Sequence, residues 1–174
     1  MLWLSELMEV VDNFMKVGGP VLWVIAVVLF LMWSLILERF IYLSSIFPRE
    51  SRLMVAQWHA REDTTSWYAH RIREAWISQA SGRANQSMMA IKTLVAICPL
   101  VGLMGTVLGM INVFDTMAIA GTSNPRLMAD GISMATVPTM AGMVAALSGL
   151  FFSAQLEGNA KSRVEHLIDN MPHH

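Results

Sequence analysis

The sequence predicts an all-α membrane protein with three transmembrane helices, N-terminus out and C-terminus in. An amphipathic N-terminal helix and a cytoplasmic helical segment complete the prediction. Composition, three long apolar stretches and a lopsided distribution of basic residues carry it. Of 174 residues, 55% are apolar and only 14% charged, with a mean hydropathy of +0.49, a balance foreign to ordinary soluble domains. The net charge of −1 offers no footprint for nucleic acid.

Residues 1–19 form the first element. Trp3, Leu4, Leu7, Met8, Val10, Val11, Phe14 and Met15 recur at helical spacing, with Glu6, Glu9, Asp12 and Lys16 on the remaining face. That pattern suits a helix lying in the outer membrane–water interface, in contact with lipid. Gly18-Gly19-Pro20 then breaks it and turns the chain into the bilayer. Residues 20–43 make the first span, with an uninterrupted apolar block from Val21 to Leu37. A cleaved leader is a poor reading, because the preceding segment is acidic and the block too long. Leu37-Glu38-Arg39 closes the span, where Arg39 can snorkel to water; Glu38 and Arg39 suit either a topological stop or a contact between subunits.

Residues 44–92 follow as a cytoplasmic helical segment. Phe47-Pro48 marks a break, and charged and apolar positions alternate around Trp58, Trp67 and Trp76. Two or three short amphipathic helices are expected, with a loop near Ser81-Gly82. Residues 93–114 and 131–154 supply the second and third spans, each free of charged residues and ~33 Å long as a helix. A periplasmic loop, 115–130, joins them. Residues 155–174 continue the third span as a cytoplasmic helix, with Leu156, Val164, Leu167, Ile168 and Met171 on one face. Nine of the twelve Lys and Arg residues lie in the middle segment and the tail and a tenth, Arg39, at the adjoining end of the first span, against Lys16 and Arg126 elsewhere. The positive-inside rule therefore places those two regions in the cytoplasm.

Several classes of function find no support. Cys98 is the single cysteine and sits in an apolar run, so no disulfide framework exists within one chain. His59 and His70 lack ligand spacing, and no metal or other cofactor is expected. No His-Glu-x-x-His, Gly-x-Ser-x-Gly or pair of intramembrane aspartates occurs, so the chain reads as a non-enzyme.

The second and third spans carry the specific information. Cys98, Gly102, Gly105, Gly109 and Asn112 form one narrow stripe, and Ala135, Thr139, Gly142, Ala146, Gly149 and Ser153 form another. Small residues let helix backbones approach where lipid supplies no hydrophobic drive. Pro99 and Pro138 each remove a helical hydrogen bond, freeing carbonyls at Val95 and Met134. Thr106, Asn112, Thr136 and Thr139 add polar groups that must face protein or water at membrane depth. The pair could line a hydrated path without any fixed charge.

The run Pro99-Leu-Val-Gly102-Leu-Met-Gly105-Thr106-Val-Leu-Gly109 resembles the signature of the ExbB/TolQ/MotA family of ion-driven membrane motors. Ala135-Thr136-x-x-Thr139-x-x-Gly142 in the third span and Leu37-Glu38-Arg39 in the first are similar to further family features. The resemblance covers essentially the whole chain and implies an inner-membrane homo-oligomer, a pentameric ring around a single-span ExbD-like partner. Proton flow would then energise outer-membrane transport through a TonB-like protein. Thr106 and Thr139, with Thr136 and Asn112, are the implied ion-path residues; Pro99, Gly102, Gly105, Gly109, Pro138 and Gly142 shape and pack the helices. The ExbB branch usually carries a Glu at the position of Met134. Its loss here implies that the essential carboxylate belongs to the partner, with Asp130 at the outer edge as either a helix cap or a point of ion access. A TolQ-like subunit or a MotA-like flagellar stator is the alternative within the family, and Na⁺ the alternative ion. A structural assembly protein without conduction is the alternative outside it.

Overall fold

A computed structural model describes residues 2–61, 63, 66–121 and 125–172, without side-chain detail for residues 2–5, 7, 8, 10, 13–18, 120 and 127. Every element among them is helical: α1 (Leu2–Ile41), a π-helical turn (Tyr42–Ile46), α2 (Phe47–His59), α3 (Trp67–Asn85), α4 (Met88–Ala120) and α5 (Pro125–Asp169). Three helical stretches among the described residues are long and apolar enough to cross a membrane. Within them only 28, 22 and 28% of the most apolar window is buried, so most of their apolar surface faces outward, as a membrane requires.

The chain divides into two compact units, one of residues 1–32 and 93–149 and the other of 33–92 and 150–174. In the first, α1 bends at Gly19, whose φ of 64° and ψ of −161° lie outside the helical region. Only glycine adopts such backbone without steric cost, and Pro20 follows at a position where its missing N–H is harmless. The expected Gly18-Gly19-Pro20 break is therefore a kink inside one helix. Of the amphipathic face ahead of it, Glu6, Glu9, Val11 and Asp12 are exposed. The side chains of Trp3, Leu4, Leu7, Met8, Val10, Phe14, Met15 and Lys16 lie outside the described residues. Beyond the kink, Val21, Leu22, Ile25 and Met32 turn inward, whereas Trp23, Val24, Val27 and Phe30 are exposed.

In the second unit the chain departs from expectation twice. Phe47-Pro48 does not end a helix. The amide of Phe47 reaches back to the Tyr42 carbonyl in the π turn, and Pro48 occupies the first turn of α2. The wider turn absorbs the proline without a loop. Nor is there a loop at Ser81-Gly82, because α3 runs through both to Asn85. The break falls instead at Gln86-Ser87, where Ser87 takes a φ of 66°. Asn85 Nδ2 donates to the Ser81 carbonyl at 3.0 Å and supports this last turn. The opposite end of α3 is capped by Ser66, whose hydroxyl accepts from the Ala69 amide at 3.2 Å.

This unit has its own core. Trp58, 1% exposed, packs edge-to-face on Trp76 with ring centroids 6.5 Å apart and donates its indole N–H to the Pro172 carbonyl at 3.3 Å. Arg73 caps the end of α5, donating to the Met171 and Ile168 carbonyls at 2.7 and 3.3 Å. Leu156, Val164, Leu167 and Met171 are buried and Ile168 half-buried, so the apolar face expected for the tail is the one that packs.

Candidate functional site

Helices α4 and α5 meet along an antiparallel seam from Val95 to Val113 on one side and Gly149 to Gly131 on the other. At ~1.5 Å per residue this seam is about 27 Å long, close to the hydrocarbon thickness. Its tightest part surrounds Gly102 and Gly142. A Cβ on Gly102 would lie 2.9 Å from the Pro138 carbonyl oxygen and 3.0 Å from Thr139 Cα. One on Gly142 would lie 2.6 Å from the Cys98 carbonyl oxygen. Neighbouring steps repeat the approach: Gly105 faces the Pro138 ring, and Gly109 faces Ala135. Helix α1 joins the same seam, with Val21 against Gly105 and Met32 against Gly149.

The threonines divide into two groups. Thr139 is half-buried, and its hydroxyl donates across the seam to the Gly102 carbonyl at 2.9 Å. It ties the two helices at their closest approach. Thr106 and Thr136 instead bond within their own helices, to the Leu103 and Ser133 carbonyls at 2.7 and 2.8 Å. Thr136 is exposed and Thr106 half-exposed. Asn112 is also exposed, with its backbone carbonyl accepting the Thr116 hydroxyl at 2.9 Å. In hydrocarbon such side chains need protein or water beside them. The outward side of the pair thus offers hydroxyl and amide groups, each retaining acceptor capacity for a water.

Pro138 is buried in the seam and Pro99 half-buried in α4, which stays helical through it. Asp130 is exposed in the second turn of α5, five residues past its start at Pro125. Met134 is 48% exposed. Val113, not Asn112, continues the buried stripe of α4, because the spacing moves one residue at Gly109.

Arg39 is the residue that sequence reasoning placed wrongly. It is 4% exposed instead of reaching into water. Its guanidinium donates to the Arg83 carbonyl at 3.1 Å and the Ser87 hydroxyl at 3.3 Å, and lies 5.2 Å from the Tyr42 ring centroid. Exposed Glu38 stands 3.6 Å away. Tyr42 in turn donates to Glu50, which also pairs with Arg83 at 3.4 Å. Arg39 therefore holds the turn between α3 and α4, a role that only the distant partners could reveal.

The chain is similar to known proteins over part of its length. The chain is 30% identical over 98 residues to biopolymer transport protein exbB1 of Vibrio cholerae, covering 54% of this chain and 43% of that one. It is 27% identical over 92 residues to putative biopolymer transport protein ExbB-like 1 of Helicobacter pylori, covering 53% and 49%. Biopolymer transport protein ExbB of Salmonella typhimurium is 40% identical over 75 residues, covering 43% and 30%. The match thus spans less than half of each relative's length. The sequence profile of the MotA/TolQ/ExbB proton channel family extends further, over residues 45–169, and takes in α2 to α5 with the whole seam. With three helices able to cross a bilayer, this multi-pass membrane protein belongs to the MotA/TolQ/ExbB proton channel family.

Proposed function

We propose that the chain is an ExbB-like subunit of an inner-membrane motor that couples the proton motive force to TonB-dependent outer-membrane transport. The observation that carries the proposal is the family match across the α4–α5 pair, whose inward face is closed by glycine and whose outward face carries Thr106, Asn112 and Thr136. A ring of such pairs, built as a homopentamer, would turn those groups toward a central path. Water held there by hydroxyls and carbonyls would relay protons. The spans hold no carboxylate at the depth of Met134, so the titrating group is assigned to a single-span ExbD-like partner. The chain itself acts as a transducer and not as a catalyst, and a TonB-like protein receives the work. The basic middle segment and tail face the cytoplasm, following the charge bias.

The test is co-purification in mild detergent followed by reconstitution in vesicles. A stoichiometric single-span partner with an Asp in its span, and proton flux only when both chains are present, is the expected result. Thr106→Val should reduce flux with the oligomer intact. Flux from this chain alone would refute the assignment of the proton site. The ExbB reading is favoured over TolQ-like or stator-like alternatives by the names of the relatives, and energy-dependent uptake by cells lacking the chain distinguishes the three.

A further inference from the structure

The second unit contains a groove of about 460 Å³ between α2 and the end of α5. We propose that it docks a short acidic, amphipathic helical segment of a partner protein. Its floor is apolar, formed by buried Phe47 and Leu167 with Val55 beside them. Its walls carry two cations, Arg52 and Arg163, and the His166 imidazole lines it as well. No carboxylate lines it. Three other basic residues of this unit are engaged, Arg83 with Glu50, Lys92 with Glu157 and Arg73 with the carbonyls ending α5. Arg52 and Arg163 take no hydrogen bond or ion pair among the described residues.

Shape and position select the occupant. The lining residues of α2 fall four apart, Pro48, Arg52 and Ala56 on one row and Phe47, Ser51 and Val55 on the next. That geometry makes a straight trough about 12 Å long, two turns of helix. An amphipathic helix enters such a trough with its apolar residues at i, i+3 and i+7, and carboxylates on its flanks would meet the two guanidiniums. A lipid headgroup fits less well. About 13 Å of helix separates Leu43, the last residue of the span, from Arg52, whereas the headgroup layer is only ~5–8 Å deep. The groove thus stands in water. This inference is independent of the proton path proposed above.

The probe is a fluorescent, helix-stapled peptide of about nine residues with leucines at i, i+3 and i+7 and glutamates on both flanks. It is titrated into the detergent-solubilised chain and followed by anisotropy. Binding should weaken about tenfold in R52E/R163E and fall with added salt. A lysine-for-glutamate peptide should bind R52E/R163E and not the original chain, which separates recognition from misfolding. Equal affinity of the acidic peptide for both proteins overturns the proposal. So does its displacement by inorganic pyrophosphate or by phosphatidylglycerol vesicles at charge concentrations equal to the peptide's, which would make the groove a general anion site.

Discussion

The contact at Gly142 yields a prediction whose sign separates close packing from ordinary helix chemistry. In Gly142→Ala the new methyl would sit 2.6 Å from the Cys98 carbonyl oxygen and 3.2 Å from Gly102 Cα, both backbone atoms. Relief requires α4 and α5 to separate by something approaching 1 Å. Overpacking of that kind costs ~1–3 kcal/mol. The same movement stretches the Thr139–Gly102 bond from 2.9 Å, and interhelical bonds in membranes average ~0.6 kcal/mol. Alanine regains up to ~1 kcal/mol of helix propensity over glycine. The net expectation is a loss of about 1–2 kcal/mol. The control is Gly82→Ala in α3, where nothing lies within 4 Å of the added methyl. There propensity acts alone and should stabilise by ~0.5–1 kcal/mol. Both are measured by reversible unfolding in mixed micelles, followed by tryptophan fluorescence. If the two substitutions move stability in the same direction, the seam is not packed backbone to backbone and the account of α4 and α5 fails.

Other expectations follow from single contacts. Gly19→Ala forces a Cβ into a left-handed backbone and should cost ~1–2 kcal/mol, read as a lower unfolding midpoint in the same micelles. Arg39→Leu strips the part-buried Arg83 carbonyl and Ser87 hydroxyl of their donor; losing these hydrogen bonds to a charged group costs about 1–3 kcal/mol, and limited proteolysis at residues 86–87 should accelerate. Arg39→Lys should recover only part of this protection, since a point charge lacks the planar fork. Ser66→Ala removes the cap of α3 at a cost of ~1 kcal/mol, visible as faster amide exchange at Ala69.

The parts legible in the sequence were those with long periodic signals. Three apolar runs predict three membrane-capable helices, and small residues at alternating intervals predict the α4–α5 seam from Gly102 to Gly142. The misplacements have a common physical origin. Gly82 and Pro48 are breakers by local propensity, but the ~0.5–1 kcal/mol an exposed glycine costs does not end a helix, and a proline in the first turn of α2 removes no interior hydrogen bond. Arg39 looked like a surface cation because its partners are contributed by α3 and the turn after it. Thr139 and Thr106 are alike in sequence, yet one hydroxyl reaches the facing helix and the other its own. That difference depends on which side of α5 meets α4, and spacing alone does not decide it.

Arg39 also bears on how the chain is made. Its two hydrogen-bond partners lie 44 and 48 residues downstream. At a synthesis rate of ~5–20 residues per second, roughly 2–10 s pass before they leave the ribosome. Through that interval the first span is already apolar enough to enter the bilayer, while its terminal guanidinium has only water and the neighbouring Glu38 for company. A hydrated charge at that point resists being drawn into hydrocarbon. Arrival of Arg83 and Ser87 then replaces the water and closes the turn. The clasp on the finished fold therefore closes only after the whole of α3 has been made.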